Sequence, residues 1–449
     1  MQNNKILLIL LSTFFLCANC SFDSKTGIWS GNEKEKRRIT ELENDKIKTS
    51  AEKIYSSEDV LIDEVNAIKN ISLSQAKKNN DWITSNFNVQ NFIGHKYLSG
   101  INNNFLKKKI GKNKFSFSKV LSSPIVGANF IILTDDTGSI FNLNKSGKVK
   151  WKKNIYKKMY KKLSKSLSVS VYKNKIFVSD NIGFIYSIDQ DTGKLLWVKN
   201  HGIPIKSKIK IFNDKIFLIN SDNRIICLEI VTGKKIWDVR TISSFIKTQN
   251  FLALAISEKE ELFTINSSGD LIKLSSSNGQ VYWSTNVTPS LFQHDKDFFE
   301  SSDIVIDDDD IFFSTKKSVF SYNMYNRYEN WKFDINSTST PIIDGDNVFL
   351  VSKNGFFINI DKKSGNVIWS TNILKILKEK KRNTYITGFI LGSDKIYATT
   401  HNGFLIISSA IDGKTENYKK IGDPIVSNPI IADGSLYILT DNSKLFGYN

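Results

Sequence analysis

From Lys175 to Trp197 the chain reads KIFVSDNIGFIYSIDQDTGKLLW. Apolar side chains alternate through Ile176 and Val178, then through Phe184, Tyr186 and Ile188, the period-two pattern of half-buried strands. Asp180-Asn181-Ile182-Gly183 and Asp191-Thr192-Gly193 supply the turns, because Gly accepts positive φ and Asp bonds its own backbone. Trp197 ends the unit. The design returns at Phe130–Trp151, Lys215–Trp237, Glu261–Trp283, Asp310–Trp331 and Asn347–Trp369, more weakly at Lys395–Tyr418, and last from Ser435 to Asn449. The six tryptophans stand 46, 40, 46, 48 and 38 residues apart. Strand-only units at such a period predict a β-propeller. Eight copies predict eight blades of four antiparallel strands: an inner one, as at Ser123–Val126, Thr340–Ile343 and Asn428–Ile431, two middle ones, and an outer one bearing the Trp.

The last copy reaches Asn449 before its outer strand. An open strand edge invites aggregation, so something must pair with it. Phe105–Phe117, FLKKKIGKNKFSF, lies one unit early and has the length and polarity of an outer strand. It is expected to close the ring against the last blade. The implied division is 1–19 as an export signal, 20–80 as a charged tether with transient helix, and 81–449 as the propeller.

Lys5 followed by the apolar run Ile6–Leu16 has the form of an export signal and is too short to span a bilayer stably. Leu16-Cys17-Ala18-Asn19-Cys20 resembles a bacterial lipoprotein signal. That resemblance makes Cys20 the acylated residue, and Ser21 after it points to the outer membrane. An ordinary cleaved signal releasing a soluble periplasmic protein is the alternative. Acyl chains at Cys20 would hold the protein on a membrane. With three cysteines in all, two of them in this signal, no disulfide framework is possible. The net charge of +17 would suit nucleic acid, anionic lipid or an acidic partner. No basic block stands apart, however, and Lys, Asn and Ile are overused throughout, so the charge reads as composition and no nucleic-acid partner is expected.

His95, His201, His294 and His401 lie in different stretches with no pair at ligand spacing, so no metal site is expected. No Gly-x-Ser-x-Gly, P-loop or dinucleotide fingerprint is present. Asp307-Asp308-Asp309-Asp310 reads as a hairpin turn between Ile304–Ile306 and Ile311–Phe313, with Ca²⁺ binding as the alternative.

The Gly-x-x-x-Trp endings and the strands before them resemble the PQQ-type propeller repeat from Ser123 to Asn449. Two branches of that superfamily differ in function: the quinoprotein dehydrogenases, and the BamB family of the machinery that folds β-barrels into the bacterial outer membrane. The acylation signal, the eight repeats and the early closing segment, with Asp81-Trp82 and His95 leading into it, are similar to the second. That resemblance implies a non-enzymatic scaffold, without cofactor, that docks periplasmic domains of the barrel-inserting protein as one copy within a hetero-complex. It implies partner-binding residues in two loops: Phe245, Ile246 and Lys247 after Trp237, and Asp297, Glu300 and Asp303 before an inner strand. The alternatives are a PQQ-dependent periplasmic dehydrogenase and a ligand-binding lipoprotein of the cell envelope. A dehydrogenase would need several oxygen ligands on the axis for Ca²⁺ and the quinone.

Overall fold

The computed structural model describes residues 21–22, 29–30, 63–67, 71–112, 122–241, 251–288, 299–381 and 384–449. Cys20 lies outside them. The chain forms two compact units, 1–61 and 62–449. In the first, Ser21–Phe22 pairs antiparallel with Trp29–Ser30.

The second unit is an eight-bladed propeller of four-stranded antiparallel sheets. Blades 1 to 7 span 125–154, 167–200, 210–240, 253–286, 305–334, 342–372 and 386–420. Blade 8 takes its three inner strands from Ile430–Ala432, Ser435–Leu439 and Lys444–Tyr448 and its outer strand from Asn104–Lys109. Lys107 stands opposite Phe446 and Lys108 opposite Leu445. The ring is therefore closed by the early segment, as its polarity and the open edge required. The closing strand is shorter than the expected Phe105–Phe117, and residues 113–121 are outside the described set.

The Gly-x-x-x-Trp spacing has a packing origin. Each Gly sits in the turn between a blade's third and outer strands, in the left-handed region, and lies against the Trp of the preceding blade. A Cβ on Gly365 (φ +73°) would stand 2.7 Å from Trp331 Cγ, and one on Gly193 (φ +68°) 2.9 Å from Trp151. The ring then bonds the same turn: Trp331 Nε1 donates to the Lys362 carbonyl at 2.7 Å and Trp151 Nε1 to that of Gln190 at 2.9 Å. Within blades 2 to 6 each Trp meets a Phe from its own second strand, as in Phe217–Trp237 and Phe312–Trp331. At the seam between blades 8 and 1 the closing strand supplies Leu106 in place of Trp. A Cβ on Gly147 would lie 2.6 Å from Leu106 Cδ1.

Gly365→Ala should therefore cost about 2–3 kcal/mol, from left-handed strain and overlap with the Trp331 ring together. Urea denaturation of the variant checks this; a loss under 0.5 kcal/mol, roughly the ordinary surface scale, would show that the seam yields.

Residues expected in the tether also lie on the propeller. Val65 pairs antiparallel with Ser370 of blade 6's outer strand. Ser74 N donates to Asp344 Oδ2 at 2.9 Å, and Asn347 Nδ2 to the Ser72 carbonyl at 3.0 Å. Ile71 and Leu73 pack on the core between blades 6 and 7. The packed unit thus begins before Asp81; scattered Ile and Leu among charges gave no repeat signal to mark it.

Candidate functional site: the axis and faces of the propeller

Antiparallel blades divide their loops between two faces. One carries the turns joining first to second and third to fourth strands. The other carries the second-to-third turns and the links between blades. The stretch 79–98 crosses the first of these faces and meets the inner strands in blade order. Asn79 Nδ2 donates to Ile431 O of blade 8 at 2.8 Å. Trp82 and Val126 of blade 1 exchange both backbone bonds, and Val171 N of blade 2 donates to Ile83 O at 2.8 Å. Lys210 Nζ of blade 3 reaches Asn88 O at 2.7 Å. Ile256 N of blade 4 donates to Val89 O, and Ile306 N of blade 5 to Gln90 O, both at 3.0 Å. Gly94 passes beside Ile343 of blade 6. Lys96 N donates to Leu391 O of blade 7 at 3.3 Å and its carbonyl accepts from Ser393 N at 2.9 Å. One strap thus seals one mouth of the axis by satisfying inner-strand groups that have no sheet neighbour.

At Asn86 the strap dips towards the axis, into a polar cluster. Lys208 Nζ pairs with Asp303 Oδ2 at 2.5 Å, and Asn86 Nδ2 donates to the same oxygen at 2.6 Å. Asn91 is fully buried. Its Nδ2 donates to Leu254 O at 3.0 Å and Ile304 O at 2.6 Å, while its Oδ1 accepts from Lys210 Nζ at 2.5 Å. Lys210, also fully buried, is pushed down to about 7 by burial and by Lys208, against the pull of Asp303. Burial pushes the Asp303 carboxyl up, but Lys208, Lys210 and Asn86 together hold it below the ordinary carboxylate range. Lys96 lies 3.6 Å over the Phe87 ring and is pushed down to about 8, chiefly by burial.

Those shifts fix a pH dependence. The folded-state values of Lys210 and Lys96 lie below those of an unfolded lysine, near 10.4. Between them the unfolded chain binds more protons, so stability rises with pH there. The penalty is fully present below about 7 and is relieved upwards. The urea midpoint at about pH 9 should therefore exceed that at about pH 6.8. A flat or falling profile over that interval would refute the burial of these two ammonium groups.

The sequence-derived site residues separate. Phe245, Ile246, Lys247 and Asp297 lie outside the described residues. Glu300 pairs with Lys316 at 3.2 Å. Asp303 faces the axis and is held by Lys208 and Asn86, so its carboxylate is engaged within the fold. In sequence it looked like loop acidity because its partners lie 95 and 217 positions away. Lys208, Lys210, Asn86 and Asn91 were not foreseen. The available signal was Lys210, a cation at an inner-strand position where blades 4 to 8 carry apolar residues and blade 2 a Ser.

Asp307–Asp310 forms the expected turn, with Asp307 opposite Asp310. Each acid has a local partner: Asp307 meets Lys362 at 2.5 Å, Asp308 meets Lys362 at 3.3 Å, Asp309 accepts from Tyr325 Oη at 3.0 Å, and Asp310 accepts from Asn330 at 2.9 Å. Burial raises the Asp307 carboxyl, and Lys362 opposes that only in part.

A quinone with Ca²⁺ requires a set of converging oxygen ligands. The axial carboxylate described above, Asp303, is already committed to Lys208 and Asn86. Among the described residues no three His, Cys, Asp or Glu side chains gather at ligand distance. These residues do not fit that group.

Comparison with known proteins gives the family. The sequence profile described as outer membrane protein assembly factor BamB matches residues 112–202 and 136–371. An uncharacterized protein of Rickettsia conorii is 23% identical over 295 residues, 65% of this chain and 60% of that protein; the chain spans less than two thirds of its length. Outer membrane protein assembly factor BamB of Moranella endobia is 18% identical over 329 residues, covering 62% of this chain and 83% of that one. Among solved structures, BamB from Moraxella catarrhalis superposes with a TM-score of 0.63 at 13% identity, covering 77% of this chain and all of that one. Quinohemoprotein alcohol dehydrogenase from Comamonas testosteroni gives 0.65 at 11%, covering 84% and 81%. The two structural likenesses establish the propeller alone; the profile covers more than half of the sequence, and by it the chain belongs to the family of outer membrane protein assembly factor BamB.

Proposed function

We propose that this protein is a non-enzymatic scaffold of outer-membrane β-barrel assembly. It sits on the periplasmic face of the outer membrane, anchored through acylated Cys20, and docks periplasmic domains of the barrel-inserting protein. The observation that carries this reading is the filled axis: the strap over 79–98 and the Lys208–Asp303 pair occupy the place where a propeller enzyme gathers its cofactor ligands. That leaves recognition to the rim and to the loops between blades, where folds of this kind present variable surface. The loop with Phe245, Ile246 and Lys247 is the proposed contact, with Asp297 and Glu300 from the neighbouring link.

A pull-down from detergent-solubilised envelopes tests the reading. The barrel-inserting protein should co-elute, and Lys247→Glu should reduce its recovery about tenfold with an unchanged melting temperature. Its absence from the eluate would remove the assembly role. The likeness to a quinohemoprotein dehydrogenase favours a second reading, a PQQ enzyme. Quinone absorbance and dye reduction after adding PQQ and Ca²⁺ would establish that one instead.

A further inference from the structure

We infer that the seam between blades 4 and 5 is a docking surface for a polypeptide segment that presents a carboxylate beside apolar or aromatic side chains. The inference does not depend on the barrel-assembly reading.

This seam abandons the packing rule of the others. The blade 5 turn reads Asn323-Met324-Tyr325-Asn326-Arg327-Tyr328, with Arg327 where other blades place Gly. Arg327 holds φ +58°, a conformation that crowds the Cβ of any L-residue. The turn is nevertheless well formed: Arg327 N donates to Asn323 O at 3.2 Å, and Tyr325 N to Asn323 Oδ1 at 3.0 Å. The seam's tryptophan, Trp283, has no partner for its buried Nε1. The carbonyl it would take, that of Met324, accepts from Lys273 Nζ at 3.2 Å.

What replaces the rule is a set of exposed rings. Tyr282, Tyr325 and Tyr328 are 53%, 43% and 71% exposed. Lys273 lies 5.8 Å from the Tyr282 ring and 5.0 Å from that of Tyr325, so the two rings flank one buried cation. Lys259 lies 4.7 Å from the Tyr325 ring. The acids nearby are matched: Glu261 by Lys273 at 2.8 Å, and Asp309 by Tyr325 Oη at 3.0 Å. Arg327 has no carboxylate within ion-pair distance among the described residues.

The seam between blades 6 and 7 also leaves its indole, Trp369 Nε1, unpartnered, but keeps its Gly. A strained non-Gly turn together with an unpartnered indole at one seam marks a position shaped for something other than stability. Tyr and Arg on a rigid turn are the residue types that dominate binding hot spots. The charge pattern selects the occupant. Arg327, with no carboxylate of its own among the described residues, accepts a carboxylate, and the exposed tyrosines beside it accept apolar side chains.

The test uses the full chain, Arg327→Gly and the double variant Tyr325→Ala/Tyr328→Ala. The probes are a short labelled peptide carrying Glu and Phe, its Gln analogue, and phosphatidylglycerol vesicles. The Glu peptide should bind saturably, and its Gln analogue about tenfold more weakly. Arg327→Gly should weaken Glu-peptide binding about tenfold while raising Tm by about 1–2 °C, because it relieves the strained turn. The double variant should lose binding with its Tm kept. Equal binding by Arg327→Gly and the parent chain, or no saturable peptide binding, overturns the proposal. Vesicle binding that disappears in Arg327→Gly, without peptide binding, overturns it in favour of lipid.

Discussion

Replacing Leu106 with Asp should open the ring and abolish cooperative folding of blade 8. Leu106 is buried and enters the core formed with Phe141, Leu143, Leu445, Phe446 and Tyr448. It also takes the Trp position against Gly147. Leu106→Ala alone should cost about 2–5 kcal/mol in lost burial and cavity. An aspartate adds a carboxylate with no partner in an apolar seam, several kcal/mol more. The sum is comparable with the whole stability of an ordinary domain, about 5–15 kcal/mol. Urea denaturation followed by tryptophan fluorescence gives the magnitude. Hydrogen exchange of the Lys444–Tyr448 amides gives the location, since this strand is the closing strand's neighbour in the sheet. A Leu106→Asp variant that keeps both the midpoint and the protection of that strand would mean that blade 8 stands without its outer member.

The second large effect is expected at Asn91. Its amide donates to carbonyls of two blades and its oxygen receives the buried Lys210. Asn91→Ala leaves the Leu254 and Ile304 carbonyls without this partner and removes one of Lys210's acceptors, Asn88 O remaining. At about 1–3 kcal/mol for each buried group left unpaired, the loss should be about 2–6 kcal/mol. The strap should also loosen. Protease cleavage within 79–98 should speed up, and exchange of the Ile256 and Ile306 amides, which donate to the strap, should accelerate. Asn91→Asp separates the contributions. It keeps an acceptor for Lys210 but sets a carboxylate against Leu254 O and Ile304 O, so it should restore the lysine's partner without restoring the strap. A wild-type midpoint for Asn91→Ala would show that water replaces these bonds.

The blades were legible because their cause is local. Period-two alternation, Asp and Gly turns and a Trp at fixed distance from Gly each follow from a few neighbouring residues, and eight repetitions make them mutually consistent. The closing strand was legible by elimination, since the last copy lacked a member and one early segment matched it. The strap was not. Its residues Asn79, Asn86, Asn91 and Gly94 look like ordinary loop chemistry, and their meaning lies in carbonyls and cations up to 352 positions away. Asp303 illustrates the same limit, for an acid before an inner strand reads as a solvated loop until the opposite blade brings Lys208 to it. The turn around Arg327 was visible as a missing Gly, but only the unpartnered indole of Trp283 and the exposed tyrosines give that absence a meaning.

The strap touches every blade and the closing strand completes the final one, yet both are made before any blade exists. During synthesis and export the strap can dock blade by blade as each inner strand emerges, but the closing strand has no sheet partner until the last blade arrives. A chain cut short within its blades leaves the closing strand unpaired and the strap only partly docked, with an apolar seam open to proteases and chaperones. The architecture thereby checks its own completeness: only a finished polypeptide can lock.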